Sequence, residues 1–390
     1  MKTRLFLAAL AGVALASCVT DKEYDVPAQN ENIKIAFDSP VMYDNDTRAN
    51  YYGEIGNITY GTTTYTYPRD ENFQIYAVEH VGDFAGWSAA TTAAFNDTPI
   101  SRDQNLDGWA PKNNGSYYYW PSGKKMSFAA CSPADLEQSV SRTYGADGLT
   151  ITNFKVPAVG QQYDLMFSQR TVNNTSSSMI QGADKYSGVP ILFQHALSSI
   201  HFSIMNSSGE NVVLKQISVY GIHDTATFKE NISENNSDYT QYERGTNVDP
   251  TWTNTNTVAE ITDANPYVAF TGSLTFPASA QYISSILSED TTNPSINHAL
   301  LLLPQELSDN AVLKVDYTVN GSDAHKIVKL NSAVDQSDQN ITEWEMGTKY
   351  TYRLYYSAAS ASQDKIYFSP SSDSWEDAGV AIIELMNTNN

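Results

Sequence analysis

Hydrophobic and polar residues alternate along much of the chain. The alternation is clear over Leu313–Val319, where the odd positions are apolar, and it recurs over Ile200–Ile204 and Tyr350–Tyr356. A period of two residues is typical of β-strands that place one face on a core and the other in water. Past the first residues there is no convincing long helical period, and only Ala134–Val140 could form a turn or two of helix. The pattern therefore predicts an all-β protein.

Clusters of Gly, Asn, Asp and Pro separate the alternating segments, a spacing that fits antiparallel sheets packed as sandwiches. Strands are expected near Phe73–Val78, Tyr117–Trp120, Met126–Ala130, Ile191–Ile204, Leu214–Gly221, Tyr267–Phe276, Ala299–Pro304, Val312–Val319, Lys326–Leu330, Lys349–Tyr356 and Ile366–Phe368. The most irregular stretch is Ile232–Asn256, and a domain boundary is placed at its front edge. We expect an N-terminal domain over residues 33–230 and a C-terminal domain over residues 231–390, in keeping with roughly one domain per 100–200 residues.

The first residues have the features of an export leader. Lys2 and Arg4 precede the apolar run Leu5–Ala16. A run of about a dozen apolar residues matches the central region of a signal peptide and is too short to cross a membrane. Residues 1–17 are therefore expected to be a signal peptide.

The leader ends at one of the two cysteines of the chain, Cys18. Leu15–Cys18 resembles the lipobox of bacterial lipoproteins, in which the cysteine is diacylated and becomes the first residue of the mature protein. We expect Cys18 to carry lipid and residues 18–32 to form an acidic tether. The alternative is an ordinary secretory signal that contains a cysteine.

Composition narrows the range of partners. The chain has 23 Lys and Arg against 44 Asp and Glu, and loss of Lys2 and Arg4 with the leader would take its formal net charge from −21 to −23. Nucleic acid and anionic lipid headgroups are therefore poor partners.

Cys131 would be the only cysteine in the mature chain without lipid, so disulfides would not hold the fold together. Tyr occurs 25 times, which suits an extracellular β-rich protein.

Several short motifs resemble, in their order and spacing, the fimbrillin superfamily, especially the Mfa-like group, which are pilins of type V pili in Gram-negative anaerobes. Besides the lipobox, the motifs are Thr47–Ala49, Tyr119–Pro121, Phe193–Ile200, Leu302–Gln305, Trp344–Tyr350, Ile366–Pro370 and Trp375–Glu376. The resemblance implies two tandem transthyretin-like antiparallel β-sandwich domains. It also implies a pilus subunit, in a stalk or tip role, that is exported as an outer-membrane lipoprotein and displayed at the cell surface.

The resemblance further implies a route to assembly. An Arg-specific protease removes the first strand of a fimbrillin, and a strand from another subunit fills the groove, an example of strand addition. In this sequence Ile33, Ile35 and Phe37 would form the inward face of the removable strand, and the cut would fall between Arg48 and Ala49. The alternative for Arg48 is an ordinary exposed arginine in a loop.

The implied partners are other pilin subunits, the outer membrane through the lipid on Cys18, and a glycan or protein on a host or bacterial surface. The donor strand is left open, since Gly379–Met386 could be the donor or an ordinary last strand. The alternative function is a surface lipoprotein that binds carbohydrate, with Trp87, Trp109, Trp120 and Tyr117–Tyr119 stacking on sugar rings. Exposure of these rings separates the two functions.

Other sites are weaker. Asp103–Asp107 matches the first half of a calcium loop, but Asn114 stands where a bidentate Glu is needed, and the alternative is a surface turn. His195, His201 and His223 could share a metal only if the sheet brought them together, and a hydrogen-bonded core histidine is the expectation for His195. The nucleophile elbow and the phosphate loop are both missing from the sequence, so we expect no enzyme activity and no cofactor.

Overall fold

A computed structural model describes residues 34–37, 41–42, 58–60, 63–65, 73–87, 93–103, 108–113, 116–136, 140–157, 162–168, 170–178, 188–189, 191–206, 208–232, 249–255, 266–276, 300–332, 340–356 and 376–385. Within these ranges the chain is all β, and its helical content is limited to the short 3-10 turns Ser176–Ser178 and Leu330–Ser332. In the described part of the chain no helix is long and apolar enough to span a membrane.

Strands of the first half are β1 Val41–Met42, β2 Ile58–Tyr60, β3 Thr63–Tyr65, β4 Phe73–His80, β5 Ala93–Asp103, β6 Gly108–Asn113, β7 Ser116–Tyr117, β8 Lys125–Ser132, β9 Ser141–Gly145, β10 Gly148–Lys155, β11 Met166–Ser168, β12 Thr171–Asn174 and β13 Leu192–His195. The remaining strands are β14 Ser198–Asn206, β15 Val212–Tyr220, β16 Thr225–Lys229, β17 Thr251–Asn254, β18 Tyr267–Phe276, β19 Leu300–Leu302, β20 Gln305–Glu306, β21 Val312–Val319, β22 Ser322–Lys329, β23 Glu343–Trp344, β24 Thr348–Tyr356 and β25 Glu376–Leu385.

The first sheet runs in the order β1-β13-β11-β8-β4-β5-β6-β7, and β12 also pairs with β8. Three four-stranded sheets follow, in the orders β17-β16-β10-β9, β19-β14-β24-β25 and β18-β15-β21-β22. Most pairs are antiparallel, as predicted. The pairs β1–β13, β14–β24 and β24–β25 are parallel, which the alternation alone does not reveal.

The alternating segments form strands where predicted. Tyr350, Tyr352, Leu354 and Tyr356 are all buried, and β21 buries Leu313, Val315 and Tyr317. The single strand predicted over Ile191–Ile204 is wrong, because the chain leaves the first sheet at His195 and enters another sheet at Ser198. The described part of Ala134–Val140 is not helical, whereas residues 137–139 and the strand predicted near Ile366–Phe368 lie outside the described residues.

Among the described residues, buried apolar side chains form two clusters. The cluster of the first sheet, here called the N-terminal cluster, comprises Ile35, Phe37, Phe73, Ile75, Ala77, Phe95, Ile100, Trp109, Met126, Phe128, Ala130, Met166, Val189, Ile191 and Phe193. The larger, central cluster draws on the strands β10, β14, β15, β21 and β24 among others. Strand pairs cross the position between residues 230 and 231, since β14 pairs with β24 and β15 with β18 and β21.

Candidate functional site

The site with the clearest functional geometry is the N-terminal segment, defined here as Lys34–Phe37. It lies between two parts of the first sheet that are far apart in sequence. Phe37 makes an antiparallel bridge to Trp109 of β6 and a parallel bridge to Val189, shortly before β13, while Lys34 bridges Tyr119. Because β13 and β6 lie near opposite ends of the strand order, the segment joins the two ends of this sheet.

Four backbone hydrogen bonds hold the segment on both sides. On one side Ile35 N donates to Tyr118 O at 2.8 Å, Phe37 N donates to Trp109 O at 2.7 Å, and Trp109 N donates to Phe37 O at 3.0 Å. On the other side Val189 N donates to Ala36 O at 2.8 Å. The segment therefore acts as an inserted strand that uses both of its hydrogen-bonding edges.

Its side chains complete the N-terminal cluster. Ile35 and Phe37 are 2% and 0% exposed, and the Phe37 ring packs edge-on against Phe128 and Phe73 at centroid separations of 5.3 and 6.3 Å. Loss of a buried Phe side chain costs about 3–5 kcal/mol because it leaves a cavity among its neighbours. The close packing of this cluster therefore depends on the N-terminal segment.

The backbone of the segment packs directly on a glycine. A Cβ atom built on Gly188 would overlap Ala36 C and O and Phe37 N. Ala36 is itself buried, although the alternation predicts an outward position for it, so the segment is covered on both faces. At the outer end, Lys34 Nζ lies 4.0 Å from the centroid of the Tyr117 ring, a cation–π contact. The segment is therefore seated by shape as well as by hydrogen bonds.

Removal of the segment would leave a groove with defined chemistry. Trp109 N and O, Tyr118 O and Val189 N would lose their backbone partners, and the walls would be aromatic and aliphatic. Buried backbone groups without partners cost about 1–3 kcal/mol each, so such a groove favours another extended chain in the same place. This arrangement can bind a strand, and we see no arrangement at the segment that supports bond-making chemistry.

The predicted site residues fall into two groups. Ile35 and Phe37 lie in the N-terminal cluster with their side chains inward. Ile33, Cys18, Arg48 and Ala49 lie outside the described residues, so lipidation and proteolytic processing stay predictions. Sequence reasoning missed Gly188, since a single glycine outside a turn motif gives no signal of close packing.

The aromatic residues considered for glycan stacking are mostly used in packing. Trp87 and Trp109 are 8% and 1% exposed, whereas Tyr119 is 44% exposed. Trp120 is half-buried and packs edge-on against Phe128 with centroids 5.9 Å apart. These rings do not form a coplanar exposed platform, so their arrangement favours the pilin interpretation over the carbohydrate-binding one.

Two of the histidines considered for a metal site, His195 and His201, each contact a nearby polar side chain. His195 is buried, with Nδ1 2.6 Å from Asp164 Oδ2, which confirms the prediction of a hydrogen-bonded core histidine. His201 Nε2 lies 2.8 Å from Ser199 Oγ. Among the described residues no group of three His, Cys, Asp or Glu side chains could hold a metal ion. Residues 104–107 and 114 of the calcium-loop prediction lie outside the described part.

One buried carboxyl was not anticipated. Glu230 is fully buried, and its Oε2 accepts a hydrogen bond of 2.8 Å from Leu149 N. Burial raises the pKa of Glu230 to about 7, although its hydrogen bond from Leu149 and the Arg170 charge act in the opposite direction. Glu230 follows a polar Lys and precedes an Asn, so the sequence suggests a surface position. Leu149, the donor of this hydrogen bond, belongs to the central cluster.

Comparison with known proteins gives one family and several solved structures that match over most of the chain. The model of the family described as "Fimbrillin-like" matches residues 47–370. A candidate cell adhesion protein from Bacteroides uniformis has a solved structure that is 17% identical, covers 84% of this chain and 95% of its own, and gives a TM-score of 0.44. A fimbrial protein from Bacteroides ovatus is 12% identical over 91% of this chain and 51% of its own, with a TM-score of 0.31. Among curated proteins there is no match.

Proposed function

Because the chain belongs to the fimbrillin-like family, a family of structural rather than enzymatic proteins, we propose that it is a pilus subunit assembled by strand exchange. The observation that carries this proposal is the N-terminal segment. It is bonded through its backbone on both sides and fills the N-terminal cluster with Ile35 and Phe37, and β1 and the polar stretch that contains Arg48 follow it along the chain.

In the proposed route, the chain is delivered to the outer membrane as a lipoprotein anchored through Cys18. Cleavage between Arg48 and Ala49 separates the body from both the lipid anchor and the N-terminal segment. The vacated groove then receives a strand from another subunit, with affinity from main-chain hydrogen bonds and register from the side-chain pockets. One cut would thereby couple release from the anchor to polymerisation.

The finer fold assignment is part of the proposal. Two tandem transthyretin-like sandwich units are proposed from the family, and the first sheet contributes to both clusters, since Tyr76, Val78 and Cys131 lie in the central one. The sequence places their boundary between residues 230 and 231. β14 and β15 pair with strands of the C-terminal half, whereas β16 pairs with β10 of the N-terminal half, so the two halves exchange strands near this boundary.

The partners proposed are other pilin subunits, and the location is the cell surface. A stalk role and a tip role both use the same groove, and a surface glycan or protein would be the target of a tip subunit. Carbohydrate binding through Trp87 and Trp109 is disfavoured because both rings are buried.

The test is limited Arg-specific proteolysis of the mature protein, followed by intact mass, N-terminal sequencing and light scattering. We expect a new N-terminus at Ala49 and filaments that appear only after the cut. Arg48→Lys is the matched control, since it keeps the charge and removes the recognition site, and it should stay uncut at this position and unpolymerised. Cleavage at Ala49 that leaves a folded monomer at high concentration would contradict strand exchange.

A further inference from the structure

The groove around the N-terminal segment restricts which side chains a strand that fills it can carry, first of all at the position of Phe37. Phe37 is fully enclosed, with Phe128 and Phe73 edge-on to its ring and Trp109 in the same cluster. Edge-to-face aromatic contacts add about 0.5–1.5 kcal/mol to the burial of the ring. A replacement strand with a small residue here would leave a cavity of aromatic size, so the groove requires an aromatic side chain.

Two residues before Phe37, the groove requires an aliphatic side chain, since Ile35 is buried in the same cluster. Successive residues of a strand point to opposite faces, so Ile35 and Phe37 share one face and fix the register. Gly188 adds a backbone condition, because it lets the strand approach without a side chain between them. The pattern required is thus aliphatic, any residue that fits, then aromatic.

The aliphatic-x-aromatic spacing is common in this sequence, for example at Ile200–Phe202 and Val315–Tyr317, whereas the longer motif Lys-Ile-x-Phe occurs twice. Lys34-Ile-Ala-Phe37 is followed by Asp-Ser-Pro40, and Lys365-Ile-Tyr-Phe368 is followed by Ser-Pro370. The two segments agree in the lysine, the isoleucine, the phenylalanine and the Ser-Pro pair just beyond. The lysine is relevant as well, since Lys34 contacts the Tyr117 ring at the outer end of the groove.

We propose that the groove of one subunit is filled by Lys365–Phe368 of a second copy of this chain, in the register of the N-terminal segment. Ile366 takes the place of Ile35, and Phe368 takes the place of Phe37 between Phe73 and Phe128. Lys365 replaces Lys34 over Tyr117. This assignment rests on the proposed function, because the groove opens only when the N-terminal segment has left.

The other candidate donor fits less well. Gly379–Met386 has no aromatic residue, so it offers nothing for the Phe37 pocket. Most of this stretch belongs to β25, which pairs with β24 over Thr348–Tyr356 in the same molecule. β25 is the last strand in the order β19-β14-β24-β25, so the C-terminal part of the chain can leave this sheet by breaking its pairing with one described strand.

Within the four-residue motif, the two segments differ at one position. Tyr367 corresponds to Ala36, which is 1% exposed. A tyrosine there needs the residues that cover Ala36 to move, which weakens binding. The exchange is therefore expected to be less favourable for the natural donor than for a Tyr367→Ala version of it.

The test uses the full mature chain with a site-specific protease sequence inserted in residues 43–50, so that opening the groove does not depend on Arg48. After the cut, both fragments stay in the sample, and labelled synthetic peptides compete for the groove. The peptides are residues 31–42, residues 362–372, residues 362–372 with F368A or Y367A, and residues 378–387. Fluorescence anisotropy gives Kd, and mass spectrometry detects the displaced N-terminal fragment.

We expect peptides 31–42 and 362–372 to bind and displace the fragment, F368A to bind about 100-fold more weakly or worse, and Y367A to bind about tenfold more tightly. Binding of 31–42 without binding of 362–372, or an F368A effect below threefold, would overturn this assignment and leave the proposed function intact. Failure of every peptide, including 31–42, on a folded nicked body would instead contradict the proposed function.

Two variants of the whole chain separate donor from acceptor. F368A should accept peptide 362–372 after cleavage but fail to form filaments, because only its donor is damaged. Gly188→Val should fail to accept the peptide, since the new side chain would overlap the strand backbone. Normal filament growth by cleaved F368A would overturn the assignment.

Discussion

Two strands complete sheets of this protein in opposite ways. β22, Ser322–Lys329, follows β21 through a tight turn and pairs with it along all eight residues, while its own side chains stay largely exposed or half-buried. The N-terminal segment, Lys34–Phe37, pairs with residues far along the chain, near Trp109 and Val189, and its apolar side chains are buried. β22 is held in place by its short connection to β21, whereas the N-terminal segment is held in place by its noncovalent contacts.

The turn between β21 and β22 explains why β22 stays paired. Asn320 and Gly321 have φ values of 50° and 85°, as a two-residue hairpin turn with left-handed central residues requires. A local hairpin costs little loop entropy, and cutting elsewhere in the chain does not change it. For the N-terminal segment, a cut in residues 43–50 would turn an intramolecular strand into a bound peptide and lower its effective concentration. Whether a strand can be exchanged therefore depends on how it is connected to the rest of the chain, and tight packing does not prevent exchange.

The largest expected effect is on the N-terminal cluster. Phe37→Ala should lower the free energy of unfolding by about 3–5 kcal/mol because the cavity lies among Phe73, Phe128 and Trp109. Urea denaturation of the uncut chain measures it. The matched change on β22 is Ile327→Ala, where the side chain is 43% exposed and the expected loss is within about 0.5 kcal/mol. Equal losses in the two variants would show that the side chains of the two strands contribute equally to stability.

A change of pH should act on the central cluster and spare the N-terminal segment. Burial raises the pKa of Glu230 to about 7 from an ordinary value near 4.5, so the folded chain holds this proton more tightly than the unfolded chain. The free energy of unfolding therefore falls as the pH rises from about 4.5 to about 7, and by about 3 kcal/mol in total.

Glu230→Gln keeps an acceptor for Leu149 N and removes the titration. Denaturation of both proteins between pH 5 and pH 8 should show a smaller decline for the variant, with the curves diverging above pH 5. Protection of the Trp109 and Val189 amides should not follow the Glu230 titration. Parallel curves for the two proteins would show that Glu230 is not the group responsible.

A smaller effect is expected at the β21–β22 turn. Gly321→Ala places a side chain at φ 85°, a strained conformation, and should cost about 1 kcal/mol. Gly145→Ala is the control, since a Cβ there has open space and no unusual φ is required. Faster hydrogen exchange in β22 with unchanged exchange at Trp109 would show that the turn affects β22 and leaves the N-terminal segment as it was. Loss of protection at both places would show that the two strands are coupled.

Sequence patterns predict the features of this protein that depend on neighbouring residues better than those that depend on contacts between distant parts of the chain. The alternation located β21, β24 and the inward positions Ile35 and Phe37, because a period of two reports directly which face is buried. It missed β5, whose residues include Asn96, Asp97 and Pro99, and it missed the change of sheet between His195 and Ser198. Strand order and the close approach at Gly188 arise from contacts between distant parts of the chain, which local patterns do not encode.

Strand exchange in the groove can be tested by hydrogen exchange at the Trp109 and Val189 amides, which donate to Phe37 O and Ala36 O. Exchange would be followed by mass spectrometry in the uncut chain, in the chain cut within residues 43–50 and kept monomeric by dilution, and in filaments. Both amides should be protected in the uncut chain, lose protection as the N-terminal fragment leaves, and regain it in filaments, while β21 and β22 stay protected throughout. Filaments in which the two amides stay unprotected would contradict strand exchange in the groove.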